Sequence, residues 1–94
     1  MNYQVQLLIN GQWRDSSSQE WLDITNPADE STIGRVAKAS RADLDAALAA
    51  AQTGFAAWRT TSVMERSTYL RKAAALVREH AEEMALMLVH EQGK

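Results

Sequence analysis

The sequence predicts an α/β chain, which by itself would be an α+β unit of short strands followed by helices. Two observations lead to this class. Asn10-Gly11 is a dipeptide suited to a two-residue hairpin turn, and it lies between short apolar runs. After Ser40 the chain becomes rich in alanine, and apolar residues recur every three or four positions. We therefore treat residues 1–94 as one unit, with a strand layer over 1–39 and helices over 40–94.

The strand layer is predicted to begin with the hairpin. Residues 5–9 and 12–13 flank the turn and are its two antiparallel strands. Residues 21–25 alternate between apolar and polar side chains until Asn26-Pro27 ends the pattern, and residues 32–36 form a further short strand. Strands this short need another layer to lie against. Their arrangement predicts no buried parallel sheet.

The first helix is predicted to begin at Ser40. Its hydroxyl stands at the N-cap position and the carboxylate of Asp43 stands three residues later, which is the capping-box pattern. Gly54 is expected to weaken the last turns of this helix. The apolar residues of the helix form one stripe that is expected to face a core: Leu44, Ala47, Leu48, Ala51, Phe55 and Trp58.

A second helix is predicted from Ser62, where Glu65 repeats the capping pattern. The polar cluster Arg78-Glu79-His80 leaves open whether residues 62–92 form one helix or two. Gly93 is expected to end the helical region. The last stretch carries apolar side chains on several faces, so something outside the chain should cover it.

Composition and charge exclude several classes of function. Ten Lys+Arg and twelve Asp+Glu give a net charge of -2 without a basic block, so we expect no nucleic-acid partner. The apolar run Leu7-Leu8-Ile9 is far shorter than the roughly 18 residues of a membrane span, and no basic leader precedes it. We therefore expect a cytoplasmic protein without a membrane partner. The sequence has no cysteine, and so no thiolate nucleophile or zinc ligand.

No catalytic, cofactor-binding or metal-binding residue is predicted within the chain. The serines at 16–18 and at the helix caps have no histidine nearby in sequence. His80 and His90 lie on different faces of a continuous helix, unlike the histidines of zinc helices, and are interpreted as solvated or locally hydrogen-bonded. Gly34 is the only glycine between the turn of the hairpin and the first helix, so no glycine-rich phosphate loop exists.

Two further groups of side chains have a structural interpretation. The tryptophans are predicted to pack in the core rather than to stack on a sugar or a base: Trp13, Trp21 and Trp58. The basic residues of the helical region are interleaved with glutamates and are interpreted as a solvated surface: Arg59, Arg66, Arg71, Lys72 and Arg78.

Several motifs, taken in order, resemble the aldehyde dehydrogenase superfamily. The run Ile9-Asn10-Gly11-Gln12-Trp13 resembles its Ile-Asn-Gly-x-Trp hairpin, and Asn26-Pro27-Ala28 with Ile33-Gly34-Arg35-Val36 resembles its Asn-Pro-Ala passage. Glu30 stands where the family most often has glycine. The matches in the helical region are Phe55-Ala56-Ala57-Trp58, Glu65-Arg66, Leu70-Arg71-Lys72-Ala73-Ala74 and Glu91-Gln92-Gly93-Lys94.

The resemblance implies that residues 1–94 are the N-terminal part of the Rossmann-like cofactor-binding domain, with the catalytic domain absent. Members of the family oxidise an aldehyde to a carboxylic acid with NAD or NADP, through a cysteine and a glutamate that lie downstream of Gly93-Lys94. The chain by itself is therefore expected to be an inactive scaffold. Its expected partner is the remainder of the dehydrogenase chain, in a parent enzyme that is a homodimer or homotetramer.

The resemblance also suggests a substrate. The passage from Arg35 to Asp43 and the closing Glu91-Gln92-Gly93-Lys94 are most similar to members that oxidise succinate semialdehyde and related short semialdehydes. The alternative is a free-standing helical module that binds another protein. A small metal- or nucleotide-binding domain ranks last, because the sequence offers no ligand set.

Overall fold

Five strands and three helices follow one another in the computed structural model, which describes residues 2–94. The strands are β1 (Tyr3–Val5), β2 (Leu7–Ile9), β3 (Gln12–Arg14), β4 (Trp21–Thr25) and β5 (Thr32–Ala37). They form a three-stranded sheet of order β1-β5-β4 and a separate two-stranded sheet of β2 and β3. The helices are α1 (Arg41–Arg59), α2 (Val63–Glu79) and α3 (Ala81–Gln92). The predicted class, short strands followed by helices, is confirmed.

The predicted hairpin is present. β2 and β3 pair antiparallel, with Leu7 opposite Arg14 and Ile9 opposite Gln12. Asn10 and Gly11 have φ values of 52° and 73°, and two positive φ values in succession are what a type I′ turn requires.

The first strand was not predicted correctly. Residues 5–9 are not one strand, because Gln6 separates β1 from β2. β1 pairs in parallel with β5, with Tyr3 opposite Gly34 and Val5 opposite Val36. A Cβ at Gly34 would overlap the main chain of Tyr3 and lie 2.7 Å from its Cβ, so only glycine allows this approach. A parallel pair between residues about thirty positions apart leaves no pattern in the local sequence.

The helix boundaries agree with the capping patterns. Ser40 caps α1 with both halves of the capping box, and the helix passes through Gly54 without a break. Ser62 caps α2 by accepting a hydrogen bond from the N–H of Glu65, but the Glu65 side chain does not supply the second half of the predicted capping box. The open question about residues 62–92 is resolved as two helices, because His80, with φ -102° and ψ 18°, interrupts the helical geometry.

The end of α3 contacts the strand layer. Gly93 ends the helix with a φ of 73°, and its N–H donates to the carbonyl of Val89. A Cβ at Gly93 would lie 2.8 Å from the nitrogen of Ala28 and 3.2 Å from Cβ of Pro27. One turn earlier, His90 Nδ1 lies 3.3 Å from the hydroxyl of Tyr3. The C-terminal end of α3 is therefore held between the β4–β5 turn and β1.

Little apolar surface is buried, which contradicts the predicted core. Ile33 and Ala37 are the only buried apolar side chains among residues 2–94. Leu48 and Phe55 of the α1 stripe are 60% and 64% exposed. The Cα atoms extend over 48 × 34 × 15 Å, and a single helix is about 10–12 Å across. With its side chains this exposed, the stripe is not covered by the other elements that the structure describes.

The tryptophans do not form a core within this chain. Trp13 is 65% exposed and Trp58 is 40% exposed, so the predicted core packing is wrong for both. Trp21 is half-buried, and the guanidinium carbon of Arg35 lies 3.9 Å from its ring centroid, in cation–π contact. Among residues 2–94, no helix is both long and apolar enough to cross a membrane.

Candidate docking surface

Asp43 accepts more hydrogen bonds than any other side chain that the structure describes. It is 1% exposed, although it stands at the first turn of α1. Its carboxylate accepts from the hydroxyl of Ser16 at 2.9 Å, from the N–H of Ser17 at 3.1 Å and from the N–H of Ser40 at 2.9 Å. Arg14 Nη2 donates to it at 3.1 Å and completes an ion pair. We call this set of five residues the Asp43 hub.

The hub keeps the carboxylate charged. The N–H of Ser40 lowers the pKa of Asp43 most, burial opposes that effect, and the Ser16 hydroxyl and the Ser17 N–H lower the pKa further. The net result is a pKa well below the ordinary value of 3.8. A carboxylate of this kind holds no proton to donate near neutral pH, and its oxygens are already occupied. The hub is therefore a joint between the hairpin and α1 rather than an acid or base.

The two histidines make different kinds of contact. His80 Nδ1 lies 3.2 Å from a carboxylate oxygen of Glu83, which is the local contact that was predicted. His90 instead reaches Tyr3, 87 positions away, so its contact is not local. No group of three His, Asp or Glu side chains among residues 2–94 is arranged to hold a metal ion.

The described residues do not fit a dinucleotide site. At the N-terminus of α1, the capping box already satisfies the N–H groups of Ser40 and Asp43, and the charge of Asp43 would repel a phosphate. Gly34 lies within β5 and serves the close approach of Tyr3 rather than a phosphate loop. No step of hydride transfer is assigned to these residues.

The described residues do expose a large amount of apolar surface. Large apolar side chains on all three helices are more than one-third exposed, among them Leu48, Leu70 and Leu88. This surface includes a groove of about 440 Å³ between the three-stranded sheet and α3, lined by Val5, Ile33 and Met87 among others. Concave apolar surfaces of this kind are typical of contacts with other protein segments.

A second groove lies where α1 meets α2. It has a volume of about 550 Å³ and is lined by Trp58, Val63, Arg66, Ser67, Leu70, Arg71 and Ala74. Arg66 was predicted to belong to a solvated surface, and this prediction is wrong. The residue is half-buried, and its Nε atom is buried without a hydrogen-bond partner among the described residues. Periodicity places Arg66 on a helix but does not reveal what covers its side chain.

The sequence matches known proteins over almost its whole length. Residues 13–94 match the model of the aldehyde dehydrogenase family. The chain is 42% identical over 90 residues to the human mitochondrial methylmalonate-semialdehyde/malonate-semialdehyde dehydrogenase (acylating), covering 96% of this chain and 17% of that protein. It is 39% identical over 92 residues to the succinate-semialdehyde dehydrogenase [NADP(+)] GabD of Escherichia coli, covering 98% of this chain and 19% of that protein.

Solved structures give the same result. An Escherichia coli NADP-dependent enzyme superposes with a TM-score of 0.92 at 39% identity, over 98% of this chain and 19% of the other. PnpE, in complex with nicotinamide adenine dinucleotide, superposes with a TM-score of 0.88 at 38% identity, over 94% of this chain and 18% of the other. The chain thus spans less than a fifth of these relatives. With the family model matched over most of its residues, the chain belongs to the aldehyde dehydrogenase family.

Proposed function

We propose that this chain is the N-terminal scaffold of an NAD(P)-dependent aldehyde dehydrogenase and is inactive by itself. The observation that carries this proposal is the exposure of the apolar helix faces, with Phe55 64% and Leu70 65% exposed, in a chain that spans less than a fifth of its relatives. These faces would pack against the remainder of the dehydrogenase chain. The 94 residues contain no cysteine to form the acyl intermediate.

The substrate we propose is a short semialdehyde, and specifically succinate semialdehyde. Support for the class comes from the relatives, whose names describe them as dehydrogenases of succinate, malonate and methylmalonate semialdehydes. The choice of succinate semialdehyde rests on the resemblance of residues 35–43 and 91–94 to members that oxidise it. In the proposed reaction the aldehyde loses a hydride to NAD or NADP and gains an oxygen from water. The products are a carboxylate, the reduced nicotinamide and two protons.

Within such an enzyme this chain would have a structural role, because it would hold its apolar faces in fixed positions. The Asp43 hub joins the hairpin to α1, and Gly93 holds the end of α3 against the β4–β5 turn. These two joints keep the apolar faces in fixed positions for the rest of the parent. We further propose a cytoplasmic homodimer or homotetramer as the form of the parent, which cell fractionation and sedimentation would test.

The first experiment measures the intact mass of the chain and its activity. We expect a mass of 10.4 kDa and no reduction of NAD or NADP with succinate semialdehyde. Cofactor reduction by a chain of verified mass would overturn the proposed inactivity.

The scaffold role is tested with a chimaera in which this chain replaces the matching segment of the Escherichia coli succinate-semialdehyde dehydrogenase. We expect a folded chimaera that reduces NADP with succinate semialdehyde, because the two sequences are 39% identical over this segment. The control is the same enzyme with the segment deleted, which should not fold or turn over. An unfolded chimaera would count against the scaffold role.

A further inference from the structure

We propose that the α1–α2 groove binds an acidic side chain, flanked by apolar residues, from the downstream part of the parent dehydrogenase, and that Arg66 is its anchor. This inference rests on the proposed function and adds the chemistry of one specific contact. The groove is the space at the junction of the two helices lined by Trp58, Val63, Arg66, Ser67, Leu70, Arg71 and Ala74.

Arg66 has a buried donor without a partner among the described residues. Its Nε atom is removed from solvent and has no hydrogen-bond partner among residues 2–94. A guanidinium is always charged, so burying one of its donors without an acceptor is unfavourable. Buried polar groups in folded proteins almost always have a partner. An acceptor from outside this chain would supply the one that is missing.

The charge of the groove identifies the kind of acceptor. Arg71 lines the same groove as Arg66, and no aspartate or glutamate is among the lining residues. Neither arginine forms an ion pair with another of residues 2–94, and two such guanidinium groups favour an anion. A carboxylate matches the planar arrangement of guanidinium donors and can accept two hydrogen bonds at once.

The walls of the groove indicate what surrounds that carboxylate. Trp58 and Leu70 line it with apolar surface and remain 40% and 65% exposed. The Trp58 ring is fixed from one side by Tyr69, whose centroid lies 6.0 Å away. The carboxylate of an acidic side chain would pair with the arginines, and its apolar neighbours would cover the apolar walls. Free anions would leave the apolar walls exposed.

We expect the groove to be occupied by the downstream part of the parent chain, because the relatives are much longer than this chain. Because this chain covers 17% and 19% of two of its relatives, more than four-fifths of their residues lie outside it. A second copy of this chain is the competing occupant, and the experiment below separates the two.

The test uses the chimaera described above, with R66Q, R66K and R78Q variants. Arg78 is an exposed arginine of the same helix outside the groove, so R78Q is the matched control. We expect R66Q to lower the thermal midpoint of the chimaera by about 3 °C or more, and R78Q to leave it unchanged. In the isolated 94-residue chain R66Q should not lower the helix content or the stability, because Arg66 Nε has no partner there whose hydrogen bond could be lost.

The R66K variant is used to identify which segment occupies the α1–α2 groove. Its amine can be coupled to a contacting carboxylate by a zero-length carbodiimide, and the linked peptides can be read by mass spectrometry. We expect a link to an aspartate or glutamate downstream of the replaced segment. A link to an acid of a second copy would overturn the proposal. Destabilisation by R66Q without any link would indicate a carbonyl acceptor and would also overturn it.

The remaining outcomes separate this inference from the scaffold role. A folded, active chimaera in which R66Q behaves as R78Q does would overturn the inference alone. A chimaera that fails to fold even with Arg66 intact would overturn both.

Discussion

Asp43 is the residue that joins distant parts of this chain. Arg14 comes from the hairpin, Ser16 and Ser17 from the following loop, and Ser40 from the helix cap, and all of them donate to one carboxylate. Such a set of hydrogen bonds compensates the burial of a charge. In a chain with little buried apolar surface, the hub is a main contact between the strand layer and α1.

Removing the cap hydroxyl should weaken the hub. In Ser40→Ala the N–H of Asp43 loses its acceptor, and the Asp43 carboxylate loses one donor. We expect the free energy of unfolding to fall by about 1 kcal/mol, measured by urea unfolding followed by circular dichroism. Gln52→Ala, at an exposed position of α1, is the control and should change it by less than about 0.5 kcal/mol. Equal effects of the two substitutions would contradict a capping role.

The lowered pKa of Asp43 predicts a dependence of stability on pH. Because folding lowers this pKa from 3.8, the unfolded chain binds a proton first as the pH falls. The stability that the charged carboxylate supplies is complete above about pH 5 and is lost as the pH falls through 3.8 and below. Asp43→Asn should flatten the fall of the urea midpoint between neutral pH and about pH 3.

Asp29 provides the control for this experiment. Its pKa is also lowered, through the hydroxyl and then the N–H of Ser31, but the residue is exposed. In Asp29→Asn the urea midpoint should still fall with decreasing pH almost as much as in the unsubstituted chain. If the midpoint of Asp43→Asn fell by the same amount, the Asp43 hub would not be the source of the pH dependence.

At the scale of elements, the helices begin by local rules and are positioned by their ends. Ser40 and Ser62 begin α1 and α2 through side-chain hydrogen bonds to the third residue of each helix. The end of α3 is different, because Gly93 contacts the turn at Pro27 and Ala28 as well as ending the helix. Gly93 therefore both ends α3 and, together with the contact of His90 with Tyr3, positions it.

Two glycines test this distinction. Gly93→Ala should destabilise the chain by about 1 kcal/mol or more, because φ is 73° and the added Cβ would lie 2.8 Å from the Ala28 nitrogen. Gly54→Ala should stabilise it by about 1 kcal/mol, because a Cβ there meets no atom within 4 Å inside a helix. Urea midpoints of both variants provide the measurement. A neutral or stabilising effect of Gly93→Ala would contradict the role of Gly93 in the end of α3 and its contact with the turn.

At the scale of the molecule, the chain is a layer with an uncovered side. The Cα atoms span only 15 Å in the thinnest direction, and the apolar stripe of α1 is open to solvent. In the proposed parent enzyme the remaining polypeptide would cover it. The same exposure determines how the isolated chain should behave.

The isolated chain should self-associate through its apolar faces. Sedimentation velocity over a range of concentrations should give an average mass that rises above 10.4 kDa. Leu48→Gln, at a position 60% exposed, should weaken the association by about tenfold, because a leucine contributes about 1.5 kcal/mol or more when buried. Gln52→Ala should leave it unchanged. A strict monomer at every concentration would contradict the prediction.

The candidate docking surface was only partly predictable. The repeat of apolar positions in α1 identified a stripe, and the apolar last helix indicated that an outside partner should cover it. The unpaired Nε of Arg66 was not predictable, since the pattern of charges along α2 described that residue as solvated. Its burial depends on how the side chain lies between two helices.

Local sequence patterns were sufficient to predict the hairpin turn at Asn10-Gly11, the capped starts of α1 and α2 and the end of α3, because each depends on residues within about four positions of one another. They could not predict the parallel pairing of β1 with β5, the contact of Arg14 with Asp43 or the exposure of the helix stripe, which are features of the three-dimensional fold. Periodicity specifies which side chains share a face. What covers that face depends on contacts between residues far apart in sequence, or outside the chain.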